Sequence, residues 1–135
     1  MIFEFEITTP KNTSKNTPLE TVLQLKPGLI HKLEARFPAG CAGLLHLAIM
    51  REVQQVWPTN PLGDFASDGE TISYAEEYLL TDSPYQLQAH TWNEDTAYDH
   101  ALRLRFGIFA PAAVLYGGAL VYQGAQAVQQ LIASE

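Results

Sequence analysis

Cysteine is almost missing from this chain. Cys41 stands alone, so no internal disulfide and no cysteine-based zinc site can form, a usage that suits a reducing cytoplasm. Basic side chains are also scarce. Eight Lys and Arg face fifteen Asp and Glu, and no two basic residues adjoin, which leaves a formal net charge of -7. A phosphate backbone is repelled by such a chain, since nucleic-acid binders gather Lys and Arg on one face, and an anionic membrane gains little from it. Partners of the nucleic-acid class are therefore excluded. Charge vanishes altogether between Phe106 and Ser134, yet Gln123, Gln126, Gln129 and Gln130 break up the second half of that stretch. A membrane span needs roughly 20 predominantly apolar residues, so none is expected.

Catalytic signatures are lacking too. There is no G-x-S-x-G elbow, Cys41 sits among small residues in "PAGCAG", and no carboxylate pair is isolated in an apolar setting that would raise a pKa. We expect no enzyme and no cofactor. His31, His46, His90 and His100 are widely spaced, without the paired spacing of a zinc site, and no metal is assigned to them. The opening "MIFEFEITTP" has neither the basic n-region nor the apolar h-region of a secretory leader, which predicts a chain kept in the cytoplasm or released by a route such as lysis.

What is present describes a packed domain. With 135 residues, 47% hydrophobic and 17% charged, the chain is long enough for one core and too apolar for disorder. Its apolar residues alternate. "MIFEFEIT" sets Phe3, Phe5 and Ile7 against Glu4 and Glu6, which is the half-buried strand pattern. The polar stretch Thr9 to Pro18 follows as a solvated loop or tether, so the first strand is free to fold onto its own sheet or onto a neighbour. Further strands are predicted in "LETVLQLKPG", in "LIHKLEARFPAG" with Leu29, His31, Leu33, Ala35 and Phe37 on one face, and in "GLLHLAIMREVQQVWP" with two apolar faces. Three more follow in "ETISYAEEYLL", "YQLQAHTWN" and "YDHALRLRFGIF". Short strands separated by Pro, Gly, Asn and Asp clusters predict an all-β fold, a single antiparallel β-sandwich of jelly-roll type over residues 1–110. Beyond Pro111 the period changes to helical, with Val121, Ala125, Val128 and Ile132 on one stripe, so residues 111–135 are predicted to end in an α-helix.

"WPTNPLGDFASDGETI", from Trp57 to Ile72, invites two readings. Asp64, Asp68 and Glu70, with Asp95 and Asp99 from "WNEDTAYDH", offer hard oxygen ligands for calcium. The competing reading is turn chemistry, in which short acids bond their own backbone and the stretch crosses from one sheet to the other. Trp57 and Trp92, with Phe65, Tyr74, Tyr78 and Tyr98, could likewise form a stacking platform for sugars or serve as core plugs.

Three stretches, "RFPAGCAGLLHLAI", "QQVWPTNPLGDFASDGETI" and "WNEDTAYDHALRLRFG", resemble small β-sandwich proteins of bacteriophage and phage-like gene clusters, over about residues 3–109. The resemblance implies a virion component, such as a capsid decoration or tail-associated protein, and implies no catalytic or ligand residue. It agrees with the ends of the chain. A first strand on a polar tether and an uncharged small-residue helix both gain by pairing with other copies or other virion proteins, through Phe3 and Phe5 at one end and Val121, Ala125, Val128 and Ile132 at the other. The alternative is a carbohydrate-type module built on loops 57–69 and 92–99.

Overall fold

The computed structural model describes residues 1–111. Nine strands are formed: β1 (Ile2–Thr9), β2 (Leu19–Gln24), β3 (Gly28–Phe37), β4 (Leu45–Arg51), β5 (Gln54–Trp57), β6 (Phe65–Ala66), β7 (Glu70–Leu80), β8 (Gln86–Asn93) and β9 (His100–Phe109). The first sheet runs β1-β9-β3-β7, and the second runs β2-β8-β4-β5, with β6 also paired to β4. All pairings are antiparallel, and the two sheets make an all-β sandwich.

Alternation places the core between the sheets. Ile7, Leu33, Ala35, Phe37, Leu102, Leu104 and Phe106 turn inward from the first sheet, and Leu23, Leu45, Leu47, Ile49, Leu87 and Ala89 meet them from the second. β4, predicted to be apolar on both faces, lies inside its sheet between β8 and the β5/β6 edge.

Three expectations are refined by the fold. The run "GLLHLAIMREVQQVWP" is two strands, because the chain reverses at Glu52 and Val53, with Glu52 at a φ of 58°. In β3 the shared face of Leu29, His31, Leu33, Ala35 and Phe37 is broken. The pairing slips between Ile30 and Lys32, so His31 is an extra residue and Ile30, rather than Leu29, is buried. The polar stretch after β1 is anchored, not free: Thr13 and Asn93 exchange backbone hydrogen bonds of 3.0 Å, and the Asn12 N–H donates to the Asp95 carbonyl at 2.9 Å. β1 itself pairs with β9 over its whole length. The predicted helix over 111–135, with Val121, Ala125, Val128 and Ile132, lies outside the described residues.

Candidate functional site

The two loops singled out in the sequence meet at His46. This histidine projects from the outer face of the second sheet, directly opposite Trp92 in the β4–β8 register. Its ring stacks on the Trp92 indole with centroids 5.2 Å apart and planes within 3°. His46 Nδ1 lies 2.6 Å from Asp64 Oδ2 of the first loop, and Nε2 lies 3.4 Å from Glu94 Oε1 of the second. The second approach lacks hydrogen-bond alignment, and Nε2 is buried without a partner among the described residues. Lys15, from the polar stretch after β1, places its ammonium 5.5 Å from the centre of the Trp92 ring.

Most of the other loop acids hold backbone. Asp68 accepts the N–H groups of Gly40 at 2.8 Å and Ala42 at 3.0 Å, and those donors, Ala42 foremost, hold its carboxyl below the usual range. Asp95 accepts from the N–H of Ala97 at 2.8 Å and of Tyr98 at 3.3 Å, and faces His100 Nε2 at 2.8 Å. The Ala97 N–H, then His100, lowers its pKa as well. Asp99 accepts the Lys11 N–H at 2.8 Å, and Glu70 accepts from the Ser67 hydroxyl. Each of the five acids considered for calcium thus has a protein partner, and no group of three His, Cys, Asp or Glu side chains able to hold a metal occurs among the described residues.

Both tryptophans are covered, whereas Tyr74 and Tyr98 are exposed. Trp57 is 3% exposed and meets Tyr78 edge-on, with ring centres 5.5 Å apart, while Trp92 is 4% exposed beneath Lys15. Neither indole offers an open face to a sugar ring. Gln55 closes the bend after Trp57, its amide reaching the carbonyls of Pro58 at 2.7 Å and of Asn60 and Gly63 at 3.2 Å. Trp57 to Ile72 then carries the chain from β5 in the second sheet to β7 in the first.

Among the described residues the first sheet ends on β1. The Met1 ammonium donates to the Ile108 carbonyl at 2.6 Å, and the Ile108 N–H donates to the Met1 carbonyl at 2.7 Å, which fixes this pair as hydrogen-bonded. Antiparallel pairs alternate, so Phe3, Phe5, Ile7 and Thr9 also bond to β9, whereas the N–H and C=O groups of Ile2, Glu4, Glu6 and Thr8 point to the open edge. The side chains of Phe3 and Phe5 turn toward the core, Phe5 meeting Phe106 edge-on at 6.2 Å. The opposite edge, β7, is bulged, because Glu76 and Glu77 stand against His31 alone.

Outside, the first sheet carries a ladder of charge. Arg103 reaches Glu4 at 3.3 Å and Glu6 at 3.8 Å, Arg105 reaches Glu4 and Glu34 at 3.5 Å, and Lys32 reaches Glu34 at 3.1 Å. Four of the chain's eight basic residues, Lys32, Arg36, Arg103 and Arg105, share this face despite their scatter in sequence. The ladder was readable in principle: "EFE" in the first strand and "RLR" in the last are complementary patterns of the same period. Lys15 over Trp92 had no comparable signal.

No family model and no curated protein matches the chain. Among solved structures it is similar to PliG of Aeromonas hydrophila, a periplasmic lysozyme inhibitor of g-type lysozyme. The two are 11% identical, with 80% of this chain and 86% of that one covered at a TM-score of 0.41. A likeness at that level says nothing of what this chain binds.

Proposed function

We propose that the chain is a non-enzymatic structural protein that assembles with other copies of itself, and that β1 is the strand by which it joins them. The observation that carries this reading is the open edge. Eight residues of β1 pair with β9 without a bulge or a proline, and four of them aim their backbone groups away from the sheet. An exposed row of unpaired N–H and C=O groups is a template for strand addition. The glutamates on the same strand, an ordinary guard against such pairing, are already matched by Arg103 and Arg105, which lessens the repulsion between two β1 strands.

The finer reading of the fold is a jelly roll, an arrangement used in viral capsid and lectin domains, and the strand order β1-β9-β3-β7 over β2-β8-β4-β5 supports it. Fold analogy by itself does not choose between those roles. A virion setting, as capsid decoration or tail-associated protein, follows from the resemblance to phage β-sandwich proteins and would make other virion proteins additional partners. The carbohydrate alternative has one observation in its favour, the meeting of loops 57–69 and 92–99 at His46, and one against it, the burial of both indoles.

Light scattering on the full chain and on Glu6→Pro tests the assembly reading. Proline at position 6 removes an outward N–H and leaves the β1–β9 bonds intact. The expected result is an oligomer that the substitution reduces; a monomer at millimolar concentration would refute the reading.

A further inference from the structure

Resting on that assembly reading, we infer that the chain has a second contact with its own kind, the outer face of the second sheet. The two sheets differ outside as sharply as they agree inside. Where the first sheet presents its charge ladder, the second presents two adjoining rows, Val22–Gln88–Met50 and Gln24–Gln86. None of these five side chains is charged. Two carboxylates border them: Glu20 in the next row, 3.9 Å from His90 Nε2, and Glu52, whose backbone N–H meets Gln88.

A chain of net charge -7 repels its copies wherever acids meet acids. Across a two-fold axis a surface meets its own image, so the face best suited to that contact carries no net sign and pairs donors with acceptors. Two glutamines on this face are arranged in that way. Gln88 Oε1 accepts the Glu52 N–H at 2.8 Å, which leaves its NH2 group to donate elsewhere. Gln24 Nε2 donates to the Tyr85 carbonyl at 3.2 Å, which leaves its Oε1 free to accept. The acceptor of one copy meets the donor of the other, with Val22, 56% exposed, and the adaptable Met50 filling the space between. Such a patch has the charge-depleted composition of an interface centre.

Two separate self-contacts on one chain, the β1 edge and this face, build assemblies larger than a dimer: a closed tetramer if the axes cross, an open array if they do not. The test is light scattering on the full chain, with circular dichroism to confirm folding of each variant. Wild type is expected to exceed a dimer and Val22→Lys to stop at one. Gln88→Glu, which replaces the donors with charge, is expected to weaken the association at least tenfold, and Ser73→Lys on the first sheet's outer face to leave the mass unchanged.

A wild-type mass no larger than a dimer that Glu6→Pro dissociates overturns the second contact alone. So does a large assembly that Val22→Lys leaves intact but removal of residues 112–135 disperses. A wild-type monomer overturns the assembly reading with it.

Discussion

Thr9 donates a hydrogen bond to Thr91 across the interior, Oγ1 to Oγ1 at 2.8 Å, with both residues fully buried. Because Thr9 belongs to β1 and Thr91 to β8, this bond joins the edge strand of one sheet to the other sheet. Thr91→Val removes one partner and leaves a buried hydroxyl unsatisfied, which should lower stability by about 1–3 kcal/mol. The double variant Thr9→Val/Thr91→Val should recover part of that loss in urea unfolding. Equal or additive losses would mean that the bond does not couple the sheets.

Acid should weaken the fold, and every shift bearing on it has one sign. Asp68 and Asp95 have carboxyl pKa values below the unfolded value of about 3.9, so their contribution is complete above that pH and is lost as pH falls through the folded values. Burial, foremost, pushes the His31 imidazole below its ordinary value, so its contribution is complete above about pH 6.5 and declines as pH falls below that. A Tm profile should be level near pH 8, slope gently below pH 6.5 and drop steeply below pH 4. Asp68→Asn and Asp95→Asn should flatten the steep part; unchanged profiles in both would contradict the assignment.

The close packing of β3 on β9 makes Gly28 sensitive. Its φ is +152°, and an added Cβ would overlap the Phe109 carbonyl and the Ile108 side chain. Gly28→Ala should cost more than about 1 kcal/mol, and Leu104→Ala, which opens a void in the core, about 2–5 kcal/mol. Thermal unfolding reads both, and a Gly28→Ala variant as stable as wild type would show that this approach is looser than described.

The His46 cluster predicts a local effect. Asp64→Ala leaves Nδ1 without its carboxylate and should release the bend around residues 58–66, seen as faster amide exchange there, while the β1–β9 amides keep their protection. Uniform acceleration across the domain would instead make the pair a global stabiliser.

How far the sequence led can be judged from particular residues. Leu102, Leu104 and Phe106 against Arg103 and Arg105 announced both the strand and its buried face, because a period of two survives in any antiparallel sheet with one dry side. The two-sheet sandwich was legible on the same basis. The bulge at His31 was not, since one inserted residue shifts a register without changing composition. The β4–β5 reversal was hidden as well: Glu52 and Val53 are not turn formers, and Glu52 takes a positive φ where its N–H meets Gln88, a residue 36 positions away. In the loops, the types of the acids were informative and their partners were not. Whether Asp68 binds a metal or the N–H groups of Gly40 and Ala42 depends on residues more than twenty positions away. The outer faces were least legible, because their character emerges only when strands distant in sequence are set side by side.

The central claim concerns the free side of β1, and amide exchange measured at several protein concentrations reads it directly. The N–H groups of Glu4 and Glu6 face the open edge, whereas those of Phe3 and Phe5 bond to β9. If copies join there, Glu4 and Glu6 are protected in concentrated solution and exchange quickly on dilution, while Phe3 and Phe5 stay protected throughout. Fast exchange of Glu4 and Glu6 at every concentration would contradict the account.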